Sequence, residues 1–523
     1  MTEYRMVYDS GSKLMKCAIA DEMSNLIALE SMERETFQSE DGFQREWNPR
    51  NYWDKIVELT KITIKKAKIN PKEIKYITAS SIRPSAVLTD GDNNALYIGA
   101  QFDLRGIDYA DEVDDEFEER TGKTFYEITG HHPSLMFIPA RYRYFKEESD
   151  KSDIFDRMTQ YLPEDSWILV KFGGESHANL CSAAESGLFD LESKSWHPAW
   201  EDILNLPDYF LPWPVLPGEV IGTVSDEINE ILGLSTETKL VAGIPDTQAA
   251  LLGSQCVENG SIGAVLGSTT PVQIITDQLY LGPNEQTWSG LFACKNLCNC
   301  YYLEANTGIT GQLLKWTANL FYGKEANTLK QRFQKLDHAF EEYDRFELNA
   351  SAEEISNNLV FSLLGPAPLA SSQTATTPGI FHFQNPGGVE EASLNTDAFV
   401  AAVFDNIQFA ITKNIEFAKE FTKNNSPTYA VVGGITRNSV LIQRFADLLQ
   451  NPVVTSKSFE TSIQGMLVLC DVAAKQITSI DDLKRRNQTL QLLNTIEPRE
   501  TMKQKMMTRY KTWQNLFDQY GVT

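Results

Sequence analysis

The sequence predicts an α/β protein of two domains around a central cleft, and three observations carry that expectation. Strand-like runs alternate with amphipathic helical patterns almost from the first residue. A strand, a glycine-hydroxyl turn and a returning strand open the chain at residues 6–21, and the same unit recurs at 261–276. At 523 residues the chain exceeds what one ordinary core organises. A duplicated core divided near Gly253, into residues 1–252 and 253–523, accounts for both the length and the repeat.

In chain order, Met6-Val7-Tyr8 reads as a strand, Asp9-Ser10-Gly11-Ser12 as a polar turn, and Met15 onward as the return. Trp53, Ile56, Val57, Thr60 and Ile64 fall at helical spacing, while Lys61, Lys65 and Lys68 lie elsewhere on that helix. Strands are expected at 74–80, 95–99, 167–171 and 240–243, with an irregular, helix-bearing stretch over 101–165. Asp246 stands at the end of the 240–243 strand, where a helix begins through Gln248, Ala249, Leu251 and Leu252. In the second half, strands are expected at 261–266, 271–276, near Tyr301 and at 428–432. Helices are expected over 310–320, from Asn395 along the stripe Phe399, Ala402, Val403, Asn406, Ile407, Ala410 and Ile411, and from Asn438.

Composition narrows the function classes. The net charge is −24, from 47 Lys plus Arg against 71 Asp plus Glu, so the long-range field repels nucleic acid and anionic membranes, and neither is expected as a partner. No run approaches a membrane span, and the immediate N-terminal strand leaves no room for a signal peptide, so a cytoplasmic location is expected. Seven cysteines fit reduced thiols. Cys294, Cys298 and Cys300 match no common zinc spacing and read as part of a strand. The expected partner is a small molecule, and the expected state is monomer or homodimer.

The chemistry-bearing residues sit at strand ends. In Asp9-Ser10-Gly11-Ser12, glycine lets backbone approach a phosphate, hydroxyl and N–H groups donate to it, and Asp9 can act on a hydrated Mg²⁺; a plain hairpin turn is the other reading. Gly267-Ser268-Thr269-Thr270 offers the same resource from the second half, and two such turns can clamp a triphosphate. Asp246 is either a general base for an acceptor hydroxyl or a helix-start aspartate favoured by the dipole. Asp103 and Arg105 are either a polyol clamp or an internal ion pair. Arg83 can reach the same pocket, and Glu304 and Gln312 are second-domain candidates for acceptor and nucleotide. Gly433-Gly434 either seats a flat ring with Asn438 beside it or makes a close packing turn. Ser176 and His177 invite a hydrolase reading, but they are adjacent in sequence and lack a nucleophile elbow. No Walker A or dinucleotide fingerprint occurs at these turns.

Taken together, Asp9-Ser10-Gly11-Ser12, Gln101-Phe102-Asp103-Leu104-Arg105, Gly243-Ile244-Pro245-Asp246-Thr247-Gln248, Gly267-Ser268-Thr269-Thr270, Gly433-Gly434-Ile435-Thr436-Arg437-Asn438 and Gln443 with Ala446-Asp447 resemble the FGGY carbohydrate kinase family. The resemblance implies two ribonuclease-H-like, actin-like ATPase domains and ATP-dependent phosphorylation of a sugar or polyol with Mg²⁺. It implies that Asp246 is the catalytic base, Asp9 and Asp246 face the metal, and Gly11, Ser12, Gly267, Ser268 and Thr269 surround phosphates. It places Gln312, Gly433, Gly434 and Asn438 by the nucleotide and Arg83, Asp103, Arg105, Asp246 and Glu304 by the acceptor. Lys16 stands where arginine is common, Phe102 where tryptophan is common, and Pro245 where a small residue is frequent. Ser81-Ile82-Arg83 and Leu303-Glu304-Ala305-Asn306-Thr307-Gly308 look most like the autoinducer-2 kinase branch, which implies an acyclic acceptor. A xylulose- or ribulose-type pentulose is the alternative, and an actin-like ATP-binding regulator without turnover is the reading from another class.

Overall fold

The computed structural model describes residues 3–370, 379–383, 394–424, 427–458 and 460–520. The first domain opens with an antiparallel meander of β1 (Tyr4–Ser10), β2 (Leu14–Asp21) and β3 (Leu26–Glu33). Two short strands, β4 (Thr36–Gln38) and β5 (Arg45–Trp47), lead into helix α1 (Pro49–Ala67). Asn48 caps that helix by accepting from the Arg50 N–H, Pro49 fits its first turn, and Lys68 ends it in the left-handed conformation. Its core face is Tyr52, Ile56, Leu59, Thr60, Thr63 and Ala67. The stripe expected from the sequence shares Ile56 and Thr60 with it but is rotated, leaving Trp53, Val57 and Ile64 at the edge of the core.

Next come β6 (Ile74–Ser81), β7 (Ser85–Thr89), β8 (Ala95–Ala100), β9 (Gln160–Leu162), helix α2 (Glu164–Lys171), β10 (Val220–Thr223), β11 (Lys239–Val241) and helix α3 (Asp246–Gly253). The main sheet has the order β10-β11-β6-β1-β2-β3, and a smaller sheet β4-β5-β8-β7-β9 stands beside it. Residues 167–171, expected as a strand, are helical in α2. Glu164 and Asp165 occupy its first turn, where the dipole favours acids, and every residue from Glu164 to Val170 is buried. A helix buried all round shows no 3.6-residue alternation, so its apolar run resembles a strand in sequence.

The second domain holds β12 (Ile262–Val265), β13 (Pro271–Thr276), β14 (Trp288–Cys294), β15 (Cys298–Asn306), helices α4 (Thr310–Tyr322), α5 (Leu329–Asn349) and α6 (Thr396–Thr422), then β16 (Tyr429–Val432), α7 (Ser439–Leu449), β17 (Val453–Ser456), α8 (Thr461–Ala473), β18 (Leu493–Ile496) and α9 (Glu500–Gln519). Its sheet runs β14-β15-β13-β12-β16-β17-β18. The duplication is visible in strand direction. In the first sheet β3, β2 and β1 are antiparallel neighbours, and β6 and β11 continue parallel to β1. In the second, β15, β13 and β12 are antiparallel, and β16 and β17 continue parallel to β12.

The halves meet where α3 crosses α8. A Cβ at Gly465 would stand 1.8 Å from the Ala249 carbonyl oxygen, so only glycine admits this backbone approach. Around the crossing, Leu251, Leu252, Ile463, Met466 and Leu467 are buried in one apolar cluster that also takes Val7 from β1 and Ala430 from β16. This shared core fixes both sheets with their hairpin turns facing one cleft. No described helix is long and apolar enough to cross a membrane.

Candidate functional site

The cleft contains a cavity of about 470 Å³ lined from both halves, with Ser12, Arg83 and Asp246 from the first and Gly267, Ser268, Thr269, Glu304 and Gln312 from the second. All but Gln312, which sits in the first turn of α4, come from a turn or near a strand end. Ser12 lies on the β1–β2 turn and Gly267 to Thr269 on the corresponding β12–β13 turn, while Arg83 and Asp246 follow the parallel strands β6 and β11. Carboxyl ends of parallel strands aimed at one crevice are where α/β folds present ligand groups.

Asp246 is the first residue of α3. One carboxylate oxygen, Oδ1, accepts from the Thr247 N–H at 2.6 Å and the Thr247 hydroxyl at 3.2 Å. Burial pushes its carboxyl up to about 6; the nearby Asp9 carboxylate adds to the rise, and Arg83 and the Thr247 donors oppose it. The outcome is a carboxylate that is ionised at neutral pH and more basic than an ordinary aspartate.

Arg83 anchors a buried cluster spanning both domains. It donates to Glu185 at 3.2 Å and to the Tyr302 hydroxyl at 3.1 Å, and pairs with Glu304 on β15. Glu185 also faces His131 at 3.2 Å and accepts from Tyr302 and from the Gln248 amide at 3.3 Å. Burial alone would raise the Glu185 carboxyl, but Arg83, His131 and Tyr302 outweigh it and bring it down to about 2. Gln273 donates to Glu304 at 2.8 Å. The carbonyl oxygens of Gln248 and Gln273 have no partner among the described residues, which leaves buried acceptors beside a polar network.

Behind the first turn, Asp9 accepts from Lys16 at 3.5 Å, Ser462 at 3.0 Å and Ser80 at 3.3 Å. Lys16 also reaches Glu460 at 2.5 Å, tying β2 to the segment before α8. Burial lowers the Lys16 pKa, but Asp9 and Glu460 overcome it and hold the ammonium charged. Arg34 donates to the Gly11 carbonyl at 2.9 Å and to Glu164 at 2.7 Å, with its guanidinium 3.2 Å from the centre of the Trp47 ring. That brace fixes the shape of the turn. These residues fit a nucleotide carrying its own Mg²⁺: the described residues form no group of three or more metal-ligating side chains, whereas Asp9 offers one carboxylate and the two turns offer the hydroxyl and N–H donors that phosphates require.

Residues 4–253 match the N-terminal domain of the FGGY family of carbohydrate kinases, and residues 264–474 match its C-terminal domain. The chain belongs to the FGGY family. It is similar to the putative sugar kinase YoaC of Bacillus subtilis strain 168, with 26% identity over 469 residues covering 89% of each chain. It is 22% identical over 509 residues to autoinducer-2 kinase of Escherichia coli K12, covering 95% of this chain and 91% of that one. Among solved structures, ligand-bound xylulose kinase from Lactobacillus acidophilus superposes with a TM-score of 0.78 at 20% identity, covering 100% of this chain and 99% of that one.

Within this FGGY fold the residues singled out from sequence divide into two groups. Ser12, Arg83, Asp246, Gly267, Ser268, Thr269, Glu304 and Gln312 converge on the cavity. Asp9 and Gly11 sit behind it on the first turn. Asp103 and Arg105 are not brought to its lining. Asp103 is fully buried, accepting from Tyr97 at 2.5 Å and from Arg105 at 2.7 Å, and Arg105 also pairs with Glu46. They adopt the internal ion pair that their sequence spacing equally allowed. Gly433 and Gly434 lie beside the second turn, off the lining. Gly433 has φ +108°, and a Cβ there would meet the Leu266 carbonyl oxygen at 2.4 Å; Gly434 opens onto free space. Asn438 caps α7, accepting from the N–H groups of Val440 and Leu441 while donating to Asp337 at 2.9 Å.

Ser176 and His177 do not face one another. The Ser176 hydroxyl donates to Gln160 at 2.9 Å, and His177 turns Nδ1 to the Glu175 carbonyl at 2.8 Å, with burial lowering its pKa to about 4. Cys294 and Cys298 are register partners across the β14–β15 hairpin, and burial pushes all three clustered thiols up, leaving them protonated. Sequence reasoning assigned no site role to Glu185, Tyr302 and His131, nor to Lys13, Arg45 and Gln101 on the cavity lining. Gln101 opens the run that carries Asp103 and Arg105, and Lys13 directly follows the first phosphate turn; those are the nearest signals, and the others carry none.

Proposed function

We propose that the chain transfers the γ-phosphoryl group of ATP to a hydroxyl of a small open-chain sugar or polyol derivative, with Asp246 as the general base. The single observation that carries this reading is the position of the Asp246 carboxylate: it lines one cavity together with two phosphate-compatible turns, one from each half of a duplicated fold. The acceptor hydroxyl gives its proton to Asp246 as its oxygen attacks phosphorus, and a base with pKa about 6 is matched to that task near neutrality. Ser12, Gly267, Ser268 and Thr269 hold the phosphates, while Gly433, Gly434 and Gln312 border the nucleoside. When bound, Mg²⁺ would spread the phosphate charge, and Asp9 and Asp246 would be the residues that hold it.

The acceptor side is formed by Arg83 and Glu304 on the cavity lining, whose polar groups suit a ligand rich in hydroxyls. Asp103 and Arg105 act from behind: the Arg45 N–H donates to Asp103 at 3.2 Å, so the pair orients the strand that borders the acceptor. Residues 1–252 supply the base and the acceptor contacts apart from Glu304, and residues 253–523 supply the nucleotide seat apart from the first phosphate turn. The similarity to autoinducer-2 kinase supports an acyclic acceptor; the xylulose kinase likeness keeps a pentulose as the second reading. Closure of the halves, with Arg83 reaching Glu304 across the cleft, excludes water that would otherwise take the phosphoryl group.

The test is an ADP-release screen over tetritols, pentuloses, aldonates and the autoinducer-2 precursor, with mass measurement of each product. The expected result is one acceptor class that gains a single phosphoryl group. ATP binding with no acceptor-dependent ADP release would instead support the regulatory reading.

A further inference from the structure

We propose that the acceptor is a polyhydroxy carboxylic acid whose carboxylate is gripped by Arg45; this rests on the phosphotransfer reading above and adds the substrate class to it. Arg45 lies on β5, in the smaller sheet of the first domain, and lines the same cavity as Asp246. Its guanidinium stands 4.8 Å from the centre of the Phe102 ring, two residues past the end of β8.

The partners of the other cations make Arg45 distinctive. Arg83 is bonded to Glu185 and Glu304, Lys16 to Asp9 and Glu460, Arg34 to Glu164, and Arg105 to Asp103 and Glu46. In a chain with 71 acidic side chains, no described carboxylate lies within ion-pairing distance of Arg45. Lys13 is the other unpaired cation on the lining, but it follows Ser12 on the phosphate turn and belongs with the nucleotide. Arg45 is on a different element, alongside Gln101 and Phe102.

A guanidinium laid against an aromatic ring keeps its N–H edge free, and that edge matches the two oxygens of a carboxylate. A neutral polyol has no need of such a group. An acid does need it, because the Asp246 carboxylate on the same lining would repel an anionic acceptor. With the acid group fixed at Arg45, the remaining hydroxyl chain extends through the cavity toward Asp246. One hydroxyl O–H bond breaks with its proton passing to Asp246, the new O–P bond forms, and the bond to the β-phosphate oxygen breaks to leave ADP.

The test compares D-xylonate and D-gluconate with the matched alditols xylitol and D-glucitol. Binding is read by calorimetry with Mg²⁺ and a non-hydrolysable ATP analogue, and phosphoryl transfer is read separately with ATP. The expected result is that at least one acid binds about tenfold or more tightly than its alditol, with a preference that shrinks as salt is added. Arg45→Met should collapse that acid-to-alditol ratio toward one, and Arg45→Lys should retain part of it, with both variants melting like the parent. The proposal is overturned if no acid binds, if the parent shows no preference for acid, if Arg45→Met leaves the ratio unchanged, or if D-ribulose 5-phosphate outcompetes both acids. Acid preference without transfer to any acceptor would sink the phosphotransfer reading and leave the carboxylate assignment standing. Transfer to alditols without acid preference would do the reverse.

Discussion

The Asp246 carboxylate is held in a state that its sequence neighbours alone would not impose. As a helix-start residue it should be stabilised as an anion, yet burial and the charge of Asp9 outweigh the dipole and raise it to about 6. A base must be ionised to act, so kcat/KM should fall as pH drops through about 6 and level off above it, and Asp246→Asn should abolish that limb along with most of the rate. The same shift has a stability sign. The folded state binds the proton more tightly than the unfolded chain, so between pH 4 and 6 stability falls as pH rises, and the ionised carboxylate costs up to about 3 kcal/mol at neutrality. Asp246→Asn should therefore melt higher than the parent at pH 7.5 and lose that advantage at pH 4. A pH-independent rate across 5 to 8 would contradict the assigned role.

At the scale of elements, a second buried network holds the second domain together. Arg444 on α7 donates to Asp344 at 3.0 Å and Glu347 at 2.7 Å on α5 and to Asp405 at 2.9 Å on α6. Arg499 and Arg509, at the start of and within α9, close the same set through Asp344, Asp447 and Asp405. The family match ends at residue 474, so this C-terminal helix is clasped onto the domain by ion pairs that the match does not cover. Removing the central cation leaves buried carboxylates short of a partner, which costs about 3–5 kcal/mol. Arg444→Met should lower the urea unfolding free energy by that amount while the folded protein keeps its turnover within about threefold; a loss under 1 kcal/mol would show that the network contributes little. Much of this level was legible in sequence. The two hairpin turns, α3 starting at Asp246 and α7 capped by Asn438 follow from local chemistry of glycine, hydroxyl and capping residues. Helix α2 was not, because a helix buried on every side has no polar face to mark its period. The Arg83 and Arg444 networks were not, because their members lie about 40 to 220 positions apart and only the fold brings them together.

The whole molecule is a duplication whose halves meet at the glycine-lined crossing of α3 and α8 and across the Arg83–Glu304 contact. The repeated strand–turn–strand pattern announced the duplication, and the fold turned two weak turn signals into one site by placing them on the same cavity. Asp103 and Arg105 show the limit of sequence: a carboxylate and a guanidinium two residues apart suit a ligand clamp or an internal pair equally, and only burial chooses between them. On the proposed reading an acidic chain binds two anions, ATP and an acid, through local donors set in a repelling field, so binding should be sensitive to the few residues that supply them. The most direct measurement is single-turnover phosphoryl transfer to the best acceptor by the parent and by Asp246→Asn, with nucleotide affinity measured on both. The variant should bind Mg·ATP within about threefold of the parent and transfer the phosphoryl group at least ~10²-fold more slowly. Transfer at near-parent rates by a variant with intact nucleotide binding would contradict the role of Asp246 as general base.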